Sequence, residues 1–158
     1  MRLGILSFVT GKEHIAVGTQ SIVDEAKQRG HNVKMLYAHN VGLVFGNGKT
    51  LTYKGEVLNP EDLDVILLRP GFTADPSVNA SIIKQFQLAG FYVINTYIGV
   101  FRAKNKIRTL QMLNHFGLPV PKTHVVGNAS LLKAAAEEFT FPVIVKTIYG
   151  THGTGVFI

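Results

Sequence analysis

Lys146 leaves an apolar run, Val143-Ile144-Val145, and is followed by Thr147-Ile148-Tyr149-Gly150-Thr151-His152-Gly153-Thr154-Gly155-Val156. Glycine lets a backbone approach a phosphate closely and aim several N–H groups at it. Thr151 and Thr154 add hydroxyl donors, and Lys146 adds a compact cation. The order differs from a P-loop, in which the lysine follows the glycines and opens a helix. The same pattern also suits a β-hairpin with a flexible tip, because glycine-rich turns are common. His152 sits at the tip, where it can meet either a phosphate or solvent.

A second basic stretch is Arg102-Ala103-Lys104-Asn105-Lys106-Ile107-Arg108. On one continuous helix, Arg102 and Lys106 share a face, and Lys104 and Arg108 share another. Such a helix turns one basic face to a ligand and the other to solvent, or leaves both solvated. The remaining histidines (His14, His31, His39, His115 and His124) make no metal-ligand pair at helical or hairpin spacing. There is no Gly-x-Ser-x-Gly elbow and no pair of carboxylates set for acid–base work.

The elements that must position these residues follow from periodicity. Leu3 to Val9 reads as a strand, Ser21 to Arg29 as an amphipathic helix stopped by Gly30, and Val33 to Ala38 as a second strand. That opening predicts a parallel sheet flanked by helices. Val41 to Leu58 carries the turn signals Gly46-Asn47-Gly48 and Lys54-Gly55 and reads as a hairpin excursion. Leu63 to Leu68 is apolar throughout, as a strand buried on both faces must be. Ser77 to Ala89 reads as a helix and Phe91 to Ile94 as a strand. Beyond Asn95, the pattern predicts a helix over Arg102 to Phe116 and a stiff Leu118-Pro119-Val120-Pro121 connector. It then predicts a strand at Lys122 to Val126, a small helix over Ser130 to Glu138 capped by Asn128 or Ser130, and a strand over Phe141 to Tyr149.

Composition narrows the function classes. The chain has 158 residues, 46% of them hydrophobic, with a mean hydropathy of +0.21, enough for a real core. It has no cysteine, which excludes a disulfide framework and a thiolate metal site. No apolar run reaches the roughly 18 residues of a membrane span, so a cytoplasmic protein with no membrane partner is expected. The net charge of +6 and pI of about 9.7 attract phosphates or acidic substrates. A nucleic acid is the weakest of these partners, because aromatic residues do not interleave with the bases.

Together these segments resemble the RimK family of ATP-grasp ligases. The likeness rests on Met1 to Ser7 with Glu25-Ala26-Lys27-Gln28-Arg29-Gly30-His31, and on Tyr53-Lys54-Gly55 leading to Asp64-Val65-Ile66 and Arg69. It rests most specifically on Ile94-Asn95 followed by Arg102 to Leu113, and on Phe141 to Lys146 running into Gly150 to Val156. The resemblance implies an α/β chain divided into a Rossmann-like pre-ATP-grasp domain (1–95), a linker helix and connector (96–121) and the incomplete N-terminal lobe of an ATP-grasp domain (122–158). It implies that Lys106 and Lys146 approach the nucleotide phosphates and that Gly150, Thr151, His152, Gly153, Thr154 and Gly155 form the loop closing over ATP. It further implies ATP and Mg2+ as cofactors, a carboxylate and an amine as substrates, glutamate or a similar amino acid as the group added, and compatibility with a homo-oligomer. In family members the magnesium ligands lie later than the last residue here, so these 158 residues are expected to lack ligase activity by themselves and to hold no catalytic or metal-binding residue. The competing reading is a non-catalytic Rossmann-like module that binds a ligand or oligomerises through an open sheet edge.

Overall fold

Five consecutive residues of the first strand, Leu3 to Ser7, are buried, which requires cover on both faces of the sheet. The computed structural model describes residues 1–9, 15–46, 48, 51–71, 76–148 and 155–158, and supplies that cover with helices. The chain divides into two compact units, Met1–Phe101 and Arg102–Ile158.

In the first unit, β1 (Arg2–Ser7), β2 (Asn32–Tyr37), β6 (Val65–Arg69) and β7 (Val93–Ile94) form one parallel sheet in the order β2-β1-β6-β7. The helices α1 (Val17–Gln28) and α2 (Pro76–Leu88) are the crossovers. From β1 the chain moves one way to β2, and from β6 the other way to β7. Right-handed crossovers in opposite directions place the two helices on opposite faces. The core clusters follow this division. Leu3, Ile5 and Val65 pack with Val23 and Ala26 of α1, whereas Leu6, Leu36, Ile66 and Leu68 pack with Ile82, Ile83 and Phe86 of α2.

The expected hairpin excursion is a three-stranded antiparallel sheet: β3 (Val41–Leu43), β4 (Leu51–Tyr53) and β5 (Glu56–Val57). Leu51 and Leu58 bring it into the larger core. A helix, α3 (Tyr97–Ala103), follows β7, and Val100 completes the same cluster.

Arg2 clamps the start of the sheet. Its backbone N–H and its Nη2 each donate to the Asp64 carboxylate at 2.6 Å, and its Nη1 donates to the Glu61 carbonyl. The Arg2 side chain, and next its backbone N–H, hold the Asp64 carboxyl below the usual carboxylate range. A carboxyl lowered by folding adds stability above its unfolded pKa, and that stability is lost as pH falls through the folded value. Asp64→Asn should therefore flatten the acid side of a melting-temperature profile. The effect should be modest, because both groups meet solvent.

The second unit contains α4 (Lys106–His115), α5 (Leu132–Ala136) preceded by a 3-10 turn over Ala129–Leu131, and a two-stranded antiparallel ribbon of β8 (Val145–Lys146) and β9 (Val156–Phe157). Three expectations are corrected here. The helix predicted over Arg102 to Phe116 is two helices, α3 and α4, interrupted at Lys104 and Asn105. Arg102 and Lys106 consequently do not share a helix face, and neither do Lys104 and Arg108. The strand predicted at Lys122 to Val126 has no regular structure; its side chains are tied to Glu138 instead of to a ladder. The strand predicted from Phe141 is a ladder strand at Val145 and Lys146, with one further hydrogen bond from Thr147, and Phe141 and Ile144 stay exposed. Its last predicted residue, Tyr149, lies outside the described residues.

Candidate nucleotide-phosphate site

Asn105 builds the first part of this site. Its side-chain oxygen accepts from the backbone N–H groups of Ile107 (3.0 Å) and Arg108 (3.1 Å), an N-cap that satisfies donors a helix start leaves open. Lys106 is thereby fixed as the first residue of α4. Its Nζ donates to the carbonyl of Ile148 at 3.2 Å, across 42 residues of sequence.

Ile148 lies two residues beyond Lys146. Lys146 is exposed on β8, opposite Val156 of β9. The ribbon extends one step further, with the Thr147 N–H donating to the Gly155 carbonyl at 2.9 Å. Gly155 has φ of +72°, and a Cβ there would stand 2.3 Å from Thr147 Oγ1. Two independent reasons, handedness and space, therefore require glycine at this position. Gly155→Ala should destabilise the ribbon by about 1–3 kcal/mol. The check is faster amide exchange at Thr147, with the first unit's protection unchanged.

The structure thus brings the Lys106 ammonium to the end of the strand that carries Lys146, with Gly155 at the facing strand. Gly150, Thr151, His152, Gly153 and Thr154 lie outside the described residues, and so does His14. Asn105 and Thr147 are the two positioning residues that sequence reasoning missed. The signal for Asn105 was its residue type, since a short amide side chain favours caps over helix interiors.

Charge is distributed unevenly. Residues 102–158 hold seven Lys and Arg against two Glu, so five of the six net positive charges fall there. One of the two acids is already committed. Glu138 approaches His124 Nε2 at 3.4 Å, and its carbonyl accepts from Lys122 Nζ. The Lys122 ammonium also lies 4.9 Å from the Phe139 ring centroid. An anion meets little carboxylate repulsion in this unit. Magnesium, in contrast, finds no fitting ligand set: among the described residues no three His, Asp or Glu side chains converge. No helix among the described residues is long and apolar enough to cross a membrane.

Comparison with known proteins identifies the family. The RimK PreATP-grasp domain matches residues 1–100, and the RimK-like ATP-grasp domain matches residues 103–158. The chain belongs to the RimK-like ATP-grasp family. A "Probable alpha-L-glutamate ligase" of Aliivibrio fischeri is 28% identical over 160 residues, covering 100% of this chain and 51% of that protein. The chain therefore spans about half the length of the curated relatives it matches. Among solved structures, a RimK domain ATP-grasp protein from Sphaerobacter thermophilus superposes with a TM-score of 0.68 at 20% identity, covering 99% of this chain and 52% of the other. The N5-carboxyaminoimidazole ribonucleotide synthetase of Thermotoga maritima gives 0.62 at 18% identity, covering 99% and 40%. At these identities the structural likeness establishes the RimK-like ATP-grasp fold, without extending to substrate.

Proposed function

We propose that this chain supplies the nucleotide-phosphate side of an ATP-dependent carboxylate–amine ligase that adds glutamate or a similar amino acid. The observation that carries the reading is the Lys106 Nζ contact with Ile148 at the end of the Lys146 strand. It gathers two lysines of an ATP-grasp family member beside the backbone that enters the glycine-rich stretch. Gly150, Thr151, His152, Gly153, Thr154 and Gly155 are proposed as the remaining phosphate contacts. Residues 1–95 serve as the pre-ATP-grasp domain, 96–121 as linker and connector, and 122–158 as the beginning of the ATP-grasp lobe.

In such a reaction the terminal phosphoryl group of ATP passes to a carboxylate oxygen and ADP leaves. The amine then attacks the acylphosphate carbonyl, the C–O bond to phosphate breaks, and an amide and inorganic phosphate result. Charge builds on the phosphoryl oxygens during the first step. Lys106 and Lys146 offset it, and backbone N–H groups around Gly155 orient it. The relatives' names support glutamate as the group added.

Hydroxylamine tests the reading, because it intercepts an acylphosphate as a stable hydroxamate. In a complete ligase carrying these residues, hydroxamate should form only when ATP and a carboxylate acceptor are both present, with one ADP released per hydroxamate. ADP release without hydroxamate would contradict it.

A further inference from the structure

Strand alternation places Leu3, Ile5 and Ser7 of β1, and Val65, Leu67 and Arg69 of β6, on the face that packs against α1. The layer is aliphatic for two positions and turns polar at the third, in register on both strands. The helix does the same: Val23 and Ala26 are apolar, whereas Thr19, one turn earlier, carries a hydroxyl. Ser7 and Thr19 are each only 4% exposed, which is an unusual composition for the end of a buried layer. Arg69 Nε donates to Thr19 Oγ1 at 3.1 Å. A Cβ on Gly18 would stand 3.5 Å from Arg69 Nη2, so the guanidinium lies over the first turn of α1 with no side chain from that residue covering it. Ser7 Oγ accepts from the Val9 N–H at 3.4 Å and keeps its own proton to donate.

The position matters as much as the chemistry. β1 has β2 on one side and β6 on the other, so the strand order reverses beside it. Open α/β sheets take ligands in the crevice at the carboxyl ends of the strands on either side of such a reversal. Ser7 and Arg69 are the last residues of those two strands. Among the described residues no carboxylate pairs with Arg69. Its neutral partner Thr19 uses one N–H and leaves the planar fork available for two parallel hydrogen bonds.

We propose that Arg69, braced by Thr19 and flanked by Ser7, binds a carboxylate of the acidic substrate at the carboxyl edge of the parallel sheet. The choice of a carboxylate over a phosphate rests on the ligase reading above, whose substrates are carboxylic acids. Thr19 acts as a positioning residue, fixing the guanidinium through Nε.

The test is a titration of the isotope-labelled 158-residue chain, with N-acetyl-L-glutamate and inorganic phosphate as separate probes. N-acetyl-L-glutamate should move the Gly18 and Thr19 amide signals. Arg69→Gln should weaken that binding tenfold or more, Arg69→Lys should restore part of it, and Thr19→Val should weaken it less than Arg69→Gln does. Equal affinity in wild type and Arg69→Gln would overturn the proposal. So would phosphate binding tighter than the carboxylate, or no movement at Gly18 and Thr19 with either probe. Should Arg69→Gln fail to fold, the Arg69→Lys and Thr19→Val comparison decides. Signals of Lys106 and Lys146 on adding an ATP analogue report on the ligase reading separately, so the two claims fail independently.

Discussion

Phe86→Ala should lower the stability of the first unit by about 3–5 kcal/mol, the range for emptying a fully buried aromatic site. Phe86 has no solvent exposure and meets Phe91 edge-on, with ring centroids 5.2 Å apart. It belongs to the cluster in which α2, the α2-facing side of the parallel sheet and the small β3-β4-β5 sheet converge. A close-packed interior relaxes only partly around such a void. Urea unfolding monitored by far-ultraviolet circular dichroism gives the value, and a Phe86→Leu variant should recover most of it. A loss below about 1 kcal/mol would mean that the core collapses to fill the site.

In a complete ligase carrying these residues, Lys146→Ala should reduce ATP-dependent amide formation by roughly 10²–10³ in kcat, the scale for removing one group aimed at developing charge. Lys106→Ala should act differently. Its ammonium is anchored on the Ile148 carbonyl, so its removal loosens the approach to the glycine-rich stretch as well as removing charge. Its loss should therefore appear in KM for ATP as well as in kcat. Equal KM values in wild type and Lys106→Ala would show that the Ile148 contact does not organise nucleotide binding. Conservative exchange separates charge from shape: Lys146→Arg keeps the charge, yet a planar fork does not replace a compact ammonium.

Much of the first unit was legible because local pattern and tertiary burial agree there. The apolar run ending at Arg69 is a strand buried on both faces, and Gly30, with φ of +79°, stops α1 as its position suggested. The helix begins earlier than its apolar spacing implied, at Val17, because Thr19 is buried by contact with Arg69 rather than by hydrophobicity. That contact joins residues 50 apart, which no local pattern encodes.

In the second unit, local signals competed. The base-rich stretch around Lys104 reads as one helix by propensity, but the Asn105 side chain offers the backbone a better partner than continued helix does. The apolar stretch from Phe141 reads as a long strand by composition. Ladder pairing decides strand length, and only Val145 and Lys146 find partners on β9. Lys146 is legible from its place before the glycine-rich stretch and Lys106 from resemblance, whereas the Lys106 contact with the Ile148 carbonyl is visible only in three dimensions.

Lys106 and Lys146 together are proposed to form a phosphate-binding half-site. Calorimetric titration of the chain with a non-hydrolysable ATP analogue tests it most directly, using wild type, Lys106→Ala and Lys146→Ala. Wild type should bind measurably, and binding should weaken about tenfold in each variant and further at higher salt. Affinity unchanged in both variants, or no binding by the wild-type chain, would contradict it.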